Sequence, residues 1–198
     1  MSAESKFVEL VRAWLCSLPH DLKVAYEAMD DENLPRSARE LAVGAIIYVV
    51  SPNDFIVDRN DAVVSYADDA LLLRMALSEI VAALGKDGAE ETSLLRARFA
   101  EQFEGVAEDL ALCNEVMGEL YPWLASKVAG LRALEYKGKK IAAYLDDDDA
   151  RELLFEDGLV FGTDYPVDED TIADKLKKAS TITDVMRRRR AEEQRLTA

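Results

Sequence analysis

A single histidine, His20, stands among the 198 residues of this chain. Zinc sites built on two or three imidazoles are thereby excluded. Any Ser-His-Asp arrangement would have to use this one ring, and nothing near it resembles a nucleophile elbow. His20 follows Cys16 by four residues, a spacing that would align the pair on one helical turn. Pro19 lies between them and is expected to break that turn. His20 then reads as a residue in the first turn of a new helix. Cysteine is almost as scarce, with only Cys16 and Cys113 present, far apart on apolar stretches. They make no disulfide framework and read as small core residues in a reducing compartment, so a cytoplasmic location is expected.

Glycine and proline are few, at 9 and 5 residues, and alternating β-branched runs are sparse, which argues for helices. No glycine-rich phosphate loop is present, because Gly85 and Gly88 lack the Lys-Ser/Thr signature. The longest apolar run, Leu41 to Val50, covers ten residues, whereas a membrane-spanning helix needs about 20. Met1 to Lys6 shows no basic region followed by an apolar core, so no secretory signal is expected. Positive charge is also short: 24 Lys and Arg against 39 Asp and Glu leave a formal net charge of -15. Such a surface repels phosphate backbones and anionic membranes, so nucleic acid is not an expected partner. Basic protein segments and divalent cations are the natural counterparts.

What is present is a globular composition, 49% hydrophobic and 32% charged, unlike that of a disordered chain. Phe7, Leu10, Val11, Trp14, Leu15 and Leu18 recur at steps of three and four, which predicts a first helix from about Ser2 to Leu18. A short helix fits Asp21 to Met29. A third starts at Pro35-Arg36-Ser37, with Ser37 and Glu40 spaced as a capping box, and Ser51-Pro52-Asn53-Asp54 stops it. A fourth helix is expected from after Asp61 to about Leu84, before the break at Gly85-Lys86-Asp87-Gly88. Leu95, Phe99, Phe103, Val106, Leu110, Cys113 and Met117 form the seam of a long fifth helix. Tyr121-Pro122 marks a junction, and Leu124, Val128, Leu131 and Leu134 continue the helical pattern up to a basic hinge at Lys137-Gly138-Lys139-Lys140. The predicted fold is an all-α bundle of about six or seven helices, with a partly irregular acidic C-terminal segment. Residues 1–145 would form the bundle and 146–198 an acidic appendage. In that appendage Asp146–Asp149 reads as a solvated helix start, and Leu153-Leu154-Phe155 and Leu159-Val160-Phe161 flank Gly158 as a small hairpin or two helix turns. A last helix is expected at Glu169 to Lys178, followed by the basic tail Arg187–Arg190 at a helix C-terminus.

One constellation stands out. Two apolar helices flank an acidic loop holding Asp54 and Asp58, and the pair Asp68 and Asp69 starts the second helix. Asp69 falls on the stripe of Leu73, Leu77 and Ile80 and should point inward, with Asp68 beside it. An inward carboxylate must be hydrogen-bonded or paired. Either loop amides and the helix start satisfy these aspartates, or Asp54, Asp58, Asp68 and Asp69 converge on a hard divalent cation such as Mg²⁺, Mn²⁺ or Ca²⁺.

Tyr48, Pro52, Asp54, Ile56, Asp58, Tyr66, Asp68 and Asp69 together resemble the pattern of the YkvA-like domain of unknown function. Phe55, Val57 and Ser65 depart from its usual leucine, proline and glycine. The resemblance covers Tyr48 to Leu73 and implies a compact helical hairpin, at about residues 37–84. It implies no activity, although some relatives are membrane-associated.

With no nucleophile and base, no cofactor loop and no histidine-based metal site, the expected function is a non-enzymatic interaction or scaffolding role. The partner would be a protein, a second copy of the chain included, met through the acidic loop region or the basic tail. The alternative is a divalent-metal-dependent enzyme acting on a phosphate-bearing substrate through Asp54, Asp58, Asp68 and Asp69, with Arg59 and Arg74 the nearest basic groups. Peripheral membrane contact through the hairpin is a third expectation, suggested by the relatives and opposed by the charge.

Overall fold

A computed structural model describes residues 1–51, 62–84 and 105–196 of the chain. Its first helix, α1, runs unbroken over Ala3–Asp30, with the Ser2 side chain accepting from the Ser5 amide at 3.2 Å as its N-cap. Pro19 therefore sits inside a helix that the sequence reading ended at Leu18, and the separate helix expected at Asp21 to Met29 is its second half. A proline has no amide to offer the carbonyl four residues back, here that of Leu15. That oxygen is satisfied from outside the helix, by the Tyr165 hydroxyl at 2.7 Å. The helix survives its proline because a distant residue supplies the missing donor.

Helix α2 spans Arg36–Val50 and ends at Ser51, as the Ser-Pro-Asn-Asp signal predicted. Its start differs from expectation. Pro35 is the N-cap residue and no side chain caps the helix, while Glu40 pairs with Arg36 at 3.1 Å and not with a capping serine. The run from Leu41 to Val49 is buried throughout. Gly44 allows α2 to touch the chain beyond it, because a Cβ there would lie 2.4 Å from the Leu131 carbonyl oxygen.

The short α3 (Ala62–Ser65) leads into α4 (Ala67–Leu84). Beyond residue 104 come α5 (Val106–Met117) and α6 (Leu120–Gly130). Gly118, at φ 55, makes the junction that the sequence placed at Tyr121-Pro122. Pro122 lies in the first turn of α6, where a proline leaves no helical hydrogen bond unmade. The Gly85–Gly88 break and the seam residues Leu95, Phe99 and Phe103 lie outside the described residues. A 3-10 turn at Leu131–Ala133 precedes a two-stranded antiparallel hairpin, β1 (Glu135–Tyr136) and β2 (Lys139–Lys140). The expected basic hinge is thus a tight turn, with Lys137 at φ 48 and Gly138 at φ 75, the pair of positive angles that a two-residue hairpin favours.

The fold is all-α, as predicted, and the stretch after residue 140 is more regular than expected. Helices α7 (Ile141–Asp146), α8 (Asp148–Asp164), α9 (Glu169–Lys175) and α10 (Ser180–Leu196) follow in close succession. Asp147 caps α8 by accepting from the Asp149 and Ala150 amides. Both apolar patches around Gly158 fall on this one helix, so of the hairpin and the helix turns left open by the sequence the structure has the helix. The arginines Arg187–Arg190 sit in the middle of α10, not at a helix end.

Helices α1, α2 and α4 pack on one another and carry most of the largest fully buried side chains, among them Phe7, Leu15, Leu41, Ile46 and Leu71, with Tyr144 of α7 beside them in the core. Leu154, Ile172, Ile182 and Met186 of α8 to α10 belong to the same core. Arg12 of α1 ties α9 down by donating to the carbonyls of Leu176 at 2.7 Å and Ala173 at 3.2 Å.

The donor role of Tyr165 is open to a double-mutant cycle. Tyr165→Phe should cost about 1 kcal/mol of stability, read from urea unfolding. In a Pro19→Ala background, where residue 19 regains an amide, the same change should cost clearly less. Equal costs in both backgrounds would mean that the Tyr165 hydroxyl does not compensate for the amide that Pro19 lacks.

Candidate functional site

Asp68 and Asp69 occupy the first turn of α4, where the helix dipole favours negative charge. Both are buried, at 0% and 1% exposure. A carboxylate at that depth needs donors. Tyr48, near the end of α2, supplies one through its hydroxyl to Asp68 Oδ2. Asp69 lies close to Tyr165, whose phenol is pushed up by burial first and then by Asp69, Cys16, Tyr66 and Asp21. Tyr165 stacks edgewise on Tyr66 at 4.9 Å and tilts against Phe161 at 5.3 Å, so aromatic rings cover this end of the bundle.

A third buried carboxylate, Asp21 of α1, was not among the sequence candidates. Arg74 of α4 grips it with a fork, Nε to Oδ2 at 2.7 Å and Nη2 to Oδ1 at 2.9 Å. Arg74 Nη2 also donates to the Ser17 hydroxyl at 3.0 Å, and Ser17 in turn donates to Asp21 at 3.1 Å. The guanidinium lies 5.5 Å from the centre of the Trp14 ring. Burial pushes the Asp21 carboxyl up, against the downward pull of Arg74, Ser17 and His20. Asp109 of α5 is drawn into the same neighbourhood, its carboxyl raised by burial and lowered by Arg74. The signal for Asp21 was in the sequence: Trp14, Ser17 and Asp21 follow helical spacing, provided that the helix continues through Pro19.

Arg74, named from the sequence as a candidate to hold a phosphate, is thus committed to a carboxylate inside the bundle. Asp54 and Asp58, and with them half of the proposed cation site, lie outside the described residues, as does Arg59. Among the described residues no group of three or more His, Cys, Asp or Glu side chains is placed to hold a metal ion.

Cys16 and His20 stand one turn apart on the same continuous helix, so Pro19 does not separate them as expected. The electrostatics oppose a reactive pair. The Cys16 thiol is raised by partial burial and by Glu169 and Asp168, the reverse of what a nucleophile needs. Burial pushes the Cys113 thiol up to about 12.

A different feature lies on the surface. Helices α1 and α8 leave between them a groove of about 560 Å³, lined by Leu22, Tyr26, Phe155, Gly158 and Leu159 among others. Its floor is built tightly. Tyr26 donates to the Leu154 carbonyl at 2.6 Å and meets Phe155 edge to face at 5.5 Å. Gly158 lies against the Tyr26 ring, where a Cβ would sit 2.3 Å from the hydroxyl oxygen. The rim is apolar and open to solvent, with Phe155 49% and Leu159 57% exposed. The sequence reading marked these patches without placing them on one helix.

The basic tail has its partners within the chain. Arg187 pairs with Asp184, Arg189 with Glu192 at 3.5 Å, and Arg190 with Glu119 at 3.2 Å. Next to them, Lys127 of α6 pairs with Glu193 of α10 at 2.7 Å. Compared with family models, curated proteins and solved structures, the chain has no match. Among the described residues no helix is long and apolar enough to cross a membrane.

The buried pair predicts a specific pattern of stability. Arg74→Met or Asp21→Leu alone strands a buried charge and should cost about 3–5 kcal/mol in denaturant unfolding. The double variant Asp21→Leu/Arg74→Met should be more stable than either single one. If the double variant is as unstable as the sum of the singles, the two side chains do not act as a pair.

Proposed function

We propose that this chain is a non-enzymatic interaction protein working in the cytoplasm, and that it meets a protein partner through the groove between α1 and α8. The observation that carries this reading is the pair Phe155 and Leu159, large apolar side chains about half exposed in the wall of a formed groove. Folding alone gives no reason to leave them in water. The other two surfaces expected from the sequence are less favoured. Arg187, Arg189 and Arg190 of α10 pair with acids of the same chain, while the acidic loop with Asp54 and Asp58 lies outside the described residues and Asp68 beside it is turned inward to Tyr48.

The YkvA-like resemblance fits this reading as a structural hairpin. Its support is that Tyr48 and Asp68, two positions of the pattern on different helices, share a hydrogen bond. Capture from an extract of the source cells at moderate salt, followed by identification of the bound proteins, tests the interaction role. The expected result is a defined protein retained by the wild-type chain and lost with Phe155→Ser/Leu159→Ser. Recovery of nothing, or flotation of the chain with anionic vesicles through these same residues, would overturn it.

The alternative, a divalent-metal-dependent enzyme acting on a phosphate-bearing substrate, draws support from two adjacent buried carboxylates, Asp68 and Asp69, at one helix start. Thermal unfolding with Mg²⁺, Mn²⁺ or Ca²⁺ separates the two readings. A midpoint that rises with ion concentration in wild type, but not in Asp68→Asn/Asp69→Asn, would favour the enzyme. An unresponsive wild type together with a less stable variant is the outcome expected here.

A further inference from the structure

We propose that the occupant of the α1–α8 groove is an amphipathic helix with basic flanks, contributed by another protein; this rests on the interaction reading above. The argument begins with spacing. Phe155 and Leu159 stand four residues apart on α8, with Gly162 and Thr163 next along the same wall. From Phe155 to Thr163 the wall extends about 12 Å at the usual rise per residue, roughly two helical turns. An apolar track of that length matches the i, i+3, i+4 and i+7 anchors of a docked helix. A bound strand is less suited, because strand docking needs an open sheet edge and the walls here are helices.

Charge selects among helices. Glu27 and Asp30 line the groove from α1. Glu152 and Glu156 are exposed on α8, each three residues before an apolar rim residue, Phe155 or Leu159, and so on the same face. Of the cations near the groove, Arg151 lies toward Asp30 and Asp148, at 3.8 and 3.3 Å, and Lys137 pairs with Asp157 at 2.8 Å. Among the described residues, Lys23 is the one basic residue that lines the groove itself. Acidic side chains therefore flank the apolar groove, on a chain whose formal net charge is -15. A helix flanked by Lys and Arg would be drawn in by that field and held by its apolar face. A second copy of the chain is disfavoured as occupant by the same charge. Its own basic helix, α10, has Ile182 and Met186 buried at home.

The test uses the full chain and two fluorescent helical peptides of 16 residues, both with leucines at i, i+3, i+4 and i+7. One carries lysines on its polar face and the other glutamates. Fluorescence anisotropy should show the lysine peptide binding about tenfold or more tighter than the glutamate peptide, with the difference shrinking as salt rises. Leu159→Ser should weaken the lysine peptide by about tenfold or more, and Glu152→Lys/Glu156→Lys should remove the preference for it. Leu196→Ser, an 86% exposed leucine on α10, should change nothing. All the substituted side chains are exposed, and an unchanged thermal midpoint shows that each variant is folded. The proposal is overturned if both peptides bind alike, if Leu159→Ser has no effect, or if sedimentation shows the chain dimerising through this groove. A chain that captures a cellular partner through Phe155 and Leu159, yet does not discriminate between the peptides, keeps the interaction role and loses this occupant.

Discussion

Taking a carboxylate and a guanidinium out of water is expensive, by several kcal/mol for each ion, and only good geometry recovers it. Asp21 and Arg74 meet that condition with a two-point fork, a serine that bridges them and an aromatic face beside the cation. The pair joins α1 to α4 through the middle of the bundle. It exists because α1 continues past Pro19, which keeps Trp14, Ser17 and Asp21 on one face. That continuity is matched in turn by Tyr165, a residue just beyond α8 whose hydroxyl reaches the carbonyl that Pro19 leaves without a partner. The N-terminal helix, the paired-aspartate helix and the C-terminal third are thus linked through one buried polar region.

Acidic residues do two different jobs in this chain. Inside, Asp21 and Asp68 fix the relative placement of α1, α2 and α4 through hydrogen bonds with a direction, which apolar packing alone does not specify. Outside, they cap helices, as Asp147 and Asp168 do, or pair with bases, as Asp146 does with Arg36 at 2.7 Å. The remainder give the surface its field. Where that field surrounds exposed apolar side chains, at the groove between α1 and α8, lies the surface proposed above for a protein partner.

Much of the helical architecture was legible in advance. Leu41 to Val49 reads as buried and is buried, and Leu120, Leu124, Val128 and Leu131 form the inner face of one continuous turn of chain. Asp68 and Asp69 were recognised as inward-facing from their phase relative to Leu73 and Leu77. The errors share one physical cause. Pro19 and the junction near Pro122 were each read as breaks, because local propensity opposes a helix there. At Pro19 a partner distant in sequence reversed the reading, since Tyr165 supplied the donor for Leu15; around Gly158, where hairpin and helix were both open, the chain is helical and the glycine lies against the Tyr26 ring. At Pro122 the cause was positional, since a proline in the first turn costs a helix nothing.

Sequence alone therefore determined the class of the fold, the inward phase of Asp69 with Asp68 beside it, and that one histidine cannot make a zinc site of two or three imidazoles. These follow from periodicity and composition, which are local or global properties of the chain. Tertiary structure decided that Arg74 would serve Asp21, that the basic tail would be met by Glu119 of the same chain, and that Phe155 and Leu159 would stay in water. Each of these outcomes depends on which surfaces come within a few ångströms of each other after folding. Side-chain hydrogen bonds, ion pairs and burial act only at that range, so a linear pattern carries no record of them until the helices have packed.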